Sequence, residues 1–329
     1  MKLAVPTLPE NCTCVVDLTG FLHRLANMPG PRGMDPRKVT SRITNEPTWG
    51  IVGALNQLNT LAKLKPGRII AVLDSSQNGF RQQLLDTYKR KSSSNYIGSQ
   101  SARLSTALPL LGIPVLGANE QFPGMEAEDV ISKALDVIPG IKVIVSYDKD
   151  LLQLIREDVL HYNPQKKELV NLENVDTVLK RDFLPTKATL TPSDIAVFLA
   201  VTGDATDGVK SIGGIGPATL GLYYEKLSAS TSNLEKLEKL AEDAILKASA
   251  SKTISANWKL AFTNLEVTDL KTERQNSLPL SSIPEPSVDI IKFQKVLEDL
   301  TLNSFLKDYN NWVAPFIRLQ RKEPSVEIS

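Results

Sequence analysis

The chain has 329 residues, with 38 lysines and arginines against 37 acids and a net charge of +1. Its 42% apolar content can build one large domain or two ordinary ones, and no apolar run approaches the roughly 20 residues that span a bilayer. Two histidines (His23, His161) and two cysteines (Cys12, Cys14) argue against a histidine-rich zinc site or a disulfide framework, and the opening Met1-Lys-Leu-Ala-Val-Pro6 is too short for a signal peptide.

In chain order, Cys12-Thr-Cys-Val-Val-Asp17 is an apolar run closed by an acid. Residues 50–64 carry helical periodicity, and Ile69-Ile-Ala-Val-Leu-Asp74 repeats the run-then-acid pattern. Residues 78–91 read as a helix with a basic face, broken by a flexible polar stretch at 92–99. Residues 102–111 are helical again, and 113–116 are briefly extended. A helix over 126–137 follows the turn at Pro123-Gly124. Val143-Ile-Val-Ser-Tyr-Asp148 is the third run closed by an acid; a helix at 151–155 and a strand holding His161 follow. This β–α alternation predicts an α/β fold with a doubly wound, mostly parallel sheet. Beyond Leu190 the strand signal fades. Helices are predicted at 192–202, 233–248 and 253–263, with Gly213-Gly-Ile-Gly216 as a hairpin and Pro217 opening the next helix. A proline-rich linker at 278–286 leads to an amphipathic helix at 289–306 and a polar end at 321–329.

Eight acids stand at these strand ends and helix starts: Asp17, Asp74, Glu126, Glu128, Asp148, Asp150, Asp204 and Asp207. Ligands of open α/β sheets bind beyond the carboxyl ends of the strands. Acids gathered there repel one another unless cations lie between them, and Mg²⁺ or Mn²⁺ suits an all-oxygen set. Two such ions about 4 Å apart clamp an in-line displacement at phosphorus. Plain alternatives exist for each motif. Glu126-Ala-Glu128-Asp129 could complement a helix dipole. Asp148-Lys-Asp150 could be a phosphatase nucleophile pair, although Leu151-Leu152 follows where Thr or Val is usual. Asp204 and Asp207 could be turn acids. One shared site is the more economical account. Setting those eight aside leaves 29 acids against 38 bases, a surplus of nine that would present a basic surface to phosphate.

Two further motifs fit that chemistry. Ser211-Ile-Gly213-Gly-Ile-Gly216-Pro-Ala-Thr219 is a glycine-rich turn opening a helix, with backbone N–H groups free for phosphate oxygens. Phe80-Arg81, Tyr88-Lys89-Arg90-Lys91 and Arg103 are either a phosphate clamp or a solvated helix face. Tyr88 either stacks on a base or buries its ring.

Together these residues closely resemble the 5′ nuclease family: flap endonucleases and the 5′→3′ exonuclease domain of bacterial DNA polymerase I. The resemblance runs from about Val15 to about Asp269. Asp17 with Leu22 and Arg24 matches the first acidic block. Asp74 with Phe80-Arg81 and Tyr88-Lys89 matches the second. Glu126-Ala-Glu128-Asp129 matches the Glu-Ala-Asp-Asp block, with Glu for the first Asp. Asp148, Asp150, Asp204 and Asp207 match the second-metal acids, and Ile212-Gly-Gly-Ile-Gly216 resembles the helix-hairpin-helix. Ser92 stands where many members have Arg, so Arg90 or Lys91 would take that role.

The resemblance implies a free-standing, phage-like, Mg²⁺-dependent, structure-specific 5′ nuclease with a PIN-like core. It implies a core over 1–189 with a helical arch at about 80–103, a duplex-binding helical region at 190–277, and a linker, helix and tail at 278–329. Asp17, Asp74, Glu126 and Glu128 would hold the first metal; Asp148, Asp150, Asp204 and Asp207 the second; Asp129 would support them. Mn²⁺ would substitute, and K⁺ would sit at the hairpin carbonyls. Lys89, helped by Arg81 and Arg90, would neutralise the scissile phosphate. Tyr88, Lys91, Arg103, Gly213, Gly214 and Gly216 would contact DNA. The implied substrates are DNA with 5′ flaps, nicks or ends and RNA–DNA hybrids, cut by a monomer in the cytoplasm (the host's, if phage-encoded) during replication, primer removal or repair. The rival readings are a non-catalytic structure-specific DNA-binding protein and a small-molecule phosphatase.

Overall fold

A computed structural model describes residues 7–30, 33–74, 79–89, 95–118, 121–227, 232–247, 252–286 and 288–320. The order begins β1 (Thr13–Asp17), α1 (Leu18–Ala26), α2 (Trp49–Lys63), β2 (Arg68–Val72), α3 (Phe80–Leu84), α4 (Asn95–Ala107), β3 (Val115–Leu116), α5 (Ala127–Val137) and β4 (Lys142–Val145). It continues with β5 (Val159–Asn163), β6 (Glu168–Val170), α6 (Val175–Asp182), α7 (Asp194–Thr202), α8 (Pro217–Tyr224), α9 (Asn233–Lys247) and α10 (Lys252–Thr268). The last helices are α11 (Glu273–Asn276), α12 (Ile290–Asp299), α13 (Asn303–Leu306) and α14 (Tyr309–Gln320).

The strands form one six-stranded sheet in the order β3-β2-β1-β4-β5-β6. All neighbours are parallel except β6, which runs antiparallel to β5. From β1 the chain builds outward first through β2 and β3, then through β4 to β6. The crevice beyond the carboxyl ends of β1 and β4 is therefore the switch point where open α/β sheets take ligands. Both faces are covered. Cys12, Cys14 and Val16 pack with Phe21, Leu55, Leu58 and Leu104 on one side, while Val15, Ile70 and Ile144 pack with Val130, Ile131 and Leu135 on the other. The two cysteines are free and buried, Cys14 within β1 and Cys12 just before it.

Local chemistry sets the element starts. Asp17 ends β1 and also caps α1, its Oδ1 accepting from Gly20 N at 2.7 Å. Glu126 and Asp129 form a capping box at the start of α5. The side chain of Gln100 on α4 accepts from Gly50 N and Ile51 N at 2.7 and 3.2 Å, which satisfies the first turn of α2.

Three expectations are corrected. The helix predicted at 78–91 stops at Leu84, and Leu85 is extended (φ −131°, ψ 105°). Burying Leu85 and Tyr88 with Val209 and Val267 outweighs helix continuation. Residues 95–99 belong to α4 rather than to a loose crest, because Tyr96 and Ile97 are buried in the core. Residues 92–94, like the polar end at 321–329, lie outside the described residues. The helix predicted at 289–306 is two helices, turned at Thr301 (φ 53°), and α14 follows unannounced. Pro315 inside α14 hides its period. Trp312 stacks on Phe293 at 5.9 Å between centroids and meets Phe305 edge-on at 5.0 Å, so α12 to α14 complete the core layer over α2. The helices from α7 to α10 enclose a second core around Ile195, Leu199, Leu240 and Trp258.

Candidate active site

The eight acids come from five separate segments that approach one another beyond the carboxyl ends of β1, β2 and β4. Asp17 is buried at the tip of β1; its Oδ2 accepts from Ser146 Oγ at 2.8 Å. Asp74 lies just past β2, its backbone N–H donating to Thr19 Oγ1 and its Oδ1 accepting from Ala127 N at 2.7 Å. That last bond ties the second strand to the start of α5, where Glu126 and Glu128 sit. Past β4, Ser146 Oγ accepts from Asp148 N, and Asp148 Oδ1 accepts from Asp150 N at 2.8 Å. Glu128, Asp150, Asp204 and Asp207 line one cleft with Tyr88, Gln153 and Val209. Asp204 Oδ1 accepts from Thr206 N at 2.7 Å, and paired backbone bonds between Asp204 and Val209 close this loop.

The charges are mutually coupled. Loss of hydration, then the Glu126 charge, push the Asp74 carboxyl up to about 7. Asp207 is pushed to about 6, chiefly by burial and then by Asp204, Glu126 and Asp148 against the Lys89 charge. Burial raises Asp17. Burial and Asp148 hold Asp150 well above the usual carboxylate range, with Asp204 and Asp207 adding to it. Burial would raise Glu126 too, but Lys89 and Arg81 outweigh it and hold its carboxyl at about 2.

The residues present fit divalent cations. The donors are all carboxylate oxygens, and Asp150 Oδ1 is buried with no hydrogen-bond partner, an acceptor facing its like-charged neighbours. Cations would displace the protons these acids hold, so binding would strengthen as pH rises. Among the described residues, no three of these side chains converge into a ready coordination shell. Asp17, Asp74, Glu126, Asp148 and Asp204 are held instead by local hydrogen bonds.

Lys89 is the cation between the two acid groups. Its Nζ lies 2.8 Å from Glu126 Oε2 and 3.6 Å from Asp207 Oδ2. Arg81 departs from the phosphate-clamp expectation. Its side chain is 2% exposed, its guanidinium grips Asp129 bidentately at 2.6 and 2.8 Å, and its Nε donates to Val267 O. It also lies 3.3 Å from Glu128, so it orients the acids of α5 and cannot reach DNA. Tyr88 likewise buries its ring and donates its OH to Glu126 at 2.8 Å, so it offers no face for stacking. Arg103 is paired with Glu46 at 2.7 Å. Arg90 and Lys91 lie outside the described residues.

Asp129 is fully buried and accepts from Arg81, Glu126 N and Gln275 Nε2. Gln275, Ser146 and His161 were not singled out from the sequence. His161 Nε2 is 3.1 Å from Asp148 O beneath the acidic loop, and burial pushes it down to about 4. Nothing in the residue pattern marks these supports, because their roles depend on which strands become neighbours. At the hairpin, Ile212 and Ile215 are buried anchors, while Gly213, Gly214 and Gly216 are exposed. Gly214 has φ 89°, a conformation that glycine adopts freely.

A family model described as "5′-3′ exonuclease, N-terminal resolvase-like domain" matches residues 13–180. A 5′-3′ exonuclease of Aquifex aeolicus (strain VF5) is 30% identical over 274 residues, covering 80% of this chain and 85% of that one. The chain belongs to the 5′-3′ exonuclease family. DNA polymerase I of Rhizobium leguminosarum is 25% identical over 304 residues, 88% of this chain but only 28% of that protein. Among solved structures, T5 5′-exonuclease with divalent metal ions (zinc) bound has a TM-score of 0.59 at 15% identity, covering 94% of this chain and 99% of that one. The 5′-3′ exonuclease family thus accounts for the resolvase-like, PIN-type sheet. No helix among the described residues is long and apolar enough to cross a membrane.

Proposed function

We propose that the chain is a Mg²⁺-dependent, structure-specific 5′ nuclease that hydrolyses phosphodiester bonds in DNA with 5′ flaps, nicks or ends, with RNA–DNA hybrids at primer ends among its substrates. One observation carries this reading: eight acids from five segments share one electrostatic field at the sheet's switch point, with Lys89 set between Glu126 and Asp207. The metal-bound T5 5′-exonuclease of similar fold supports it.

Asp17, Asp74, Glu126 and Glu128 would hold one cation, and Asp148, Asp150, Asp204 and Asp207 would hold or orient a second. Such a pair of ions, when bound, supplies charge neutralisation at the attacking and leaving oxygens. The chain's own residues do the remainder. The surrounding acids keep the half-buried Lys89 protonated: desolvation would lower it, but Glu128 and Glu126 hold it well above the usual lysine range. It is therefore a fixed positive charge where negative charge grows on the phosphoryl oxygens. Arg81 and Asp129 hold the first turn of α5, which carries Glu126 and Glu128. The exposed hairpin at Gly213–Gly216 presents backbone to the duplex, and its carbonyls could take K⁺.

A gel comparing 5′- and 3′-labelled flap, nicked duplex and single strand, with and without Mg²⁺, tests this. Mg²⁺-dependent cleavage near the flap junction, leaving a 5′-phosphate, is the expected result. Binding without cleavage in every metal would instead favour a non-catalytic DNA-binding protein.

A further inference from the structure

We propose that Thr87 and Gly208 form a clasp that positions Lys89, so that the ammonium at the scissile phosphate is set by the second acidic loop rather than by the segment that carries it. The inference rests on the nuclease reading above for its consequence, but the clasp itself stands on geometry. Lys89 has φ 37°, a left-handed backbone that a lysine rarely adopts. Something must hold it there, and two hydrogen bonds to backbone carbonyls of the Asp204–Val209 loop do so. Lys89 N donates to Asp207 O at 2.9 Å, and Thr87 Oγ1 donates to Gly208 O at 2.8 Å. The approach is so close that a Cβ on Gly208 would lie 2.1 Å from Thr87 O, and Gly208 itself has φ 75°. Glycine is thus required twice at position 208, for its conformation and for the contact. The loop it belongs to is closed by the paired Asp204–Val209 bonds and by the Asp204 side chain on Thr206 N.

The consequence is a direct mechanical link. The loop that carries Asp204 and Asp207 also fixes the backbone from which Lys89 reaches Glu126 at the start of α5. A shift of about 1 Å at this lysine is enough to cost roughly a hundredfold in rate, because the charge must sit where the transition state needs it. Strain stored at such a position is a feature of functional sites.

Two measurements on the full chain test the clasp. The first is labelling of Lys89 by an amine-reactive reagent, read by mass spectrometry. Gly208→Ala should raise Lys89 labelling several-fold, and Thr87→Val should raise it less. Unchanged labelling in both overturns the clasp, whatever cleavage does. The second is a double-mutant cycle in single-turnover flap cleavage at saturating DNA. Gly208→Ala should slow the parent about tenfold or more, with DNA affinity nearly unchanged, but should slow Lys89→Ala hardly at all. Multiplying losses would overturn the clasp as the route of the effect. Thr87→Ser, which keeps the donor, should recover the rate that Thr87→Val loses; a Ser variant as slow as the Val variant would also count against it. If labelling rises as expected while Lys89→Ala cleaves like the parent, the clasp stands and the role given to Lys89 in the nuclease reading fails.

Discussion

Asp74 and Lys89 carry the residue-scale argument, because both are costly in the folded chain and useful at a phosphate. The Asp74 carboxyl sits at about 7, above the ordinary range for Asp, so the native state holds a proton that the unfolded chain releases. Stability contributed by that proton is present at low pH and is lost as pH rises from about 4 to about 7. Asp74→Asn should therefore raise the melting temperature of the metal-free protein at pH 8, with little gain at pH 4, while abolishing cleavage and sparing DNA binding. A variant that melts lower than the parent at pH 8 would contradict the electrostatic account of this position. Lys89→Ala should cut the single-turnover rate about a hundredfold and affinity far less, since one preorganised charge acts mainly on the transition state. Arg81 makes the opposite case. Arg81→Ala should destabilise the fold by about 3–5 kcal/mol by leaving Asp129 buried and unpaired, and Arg81→Lys should not restore it, lacking the bidentate fork. Chemical denaturation of the two variants checks this. Unchanged stability in Arg81→Ala would return Arg81 to the role of a surface base. The motif Phe80-Arg81 was legible in the sequence, but its burial was not, because burial depends on α5 and α10 arriving from elsewhere.

At the scale of elements, the strands were the most legible, since a parallel sheet covered on both faces needs near-continuous apolar runs. The runs that end at Asp17, Asp74 and Asp148 appear as β1, β2 and β4, with the acids at or just beyond their tips. The segment between β2 and β3 was the least legible. Its helical propensity at 85–89 yields to tertiary burial of Leu85 and Tyr88, and Tyr96, Ile97 and Gln100 dock α4 onto the core. Threading of a single strand past this segment remains the expectation, with α4 as a fixed wall. A bulky adduct on the 5′ end before mixing should block flap cleavage, and the same adduct added after complex formation should block far less. Equal rates in both orders would exclude threading. The hairpin is the other functional element. Gly214→Val should weaken duplex binding about tenfold, the equivalent of one or two lost phosphate hydrogen bonds, and leave the saturated cleavage rate near the parent's. Equal affinity in a folded Gly214→Val variant would remove the hairpin from the duplex surface.

For the whole molecule, the sequence pattern foretold an α/β sheet followed by a helical region but not how tightly the parts interlock. The C-terminal helices α12 to α14 complete the first core through Phe293, Phe305, Trp312 and Phe316, and α10 reaches back to Arg81 through Val267 O. The acids could be read as a set because their spacing follows the sheet's topology, and their supports Ser146, Gln275 and His161 could not, because each serves a neighbour far along the chain. The central claim is that these acids act together through divalent cations on a phosphodiester. Single-turnover cleavage of a 5′-flap substrate across a Mg²⁺ series, for the parent and for Asp204→Asn, tests it most directly. The account predicts no cleavage in chelator, a parent rate that climbs more steeply than the first power of Mg²⁺, and an Asp204→Asn curve displaced to higher Mg²⁺ and partly restored by Mn²⁺. Cleavage that persists in chelator, or an Asp204→Asn curve that overlays the parent's at limiting Mg²⁺, would contradict it.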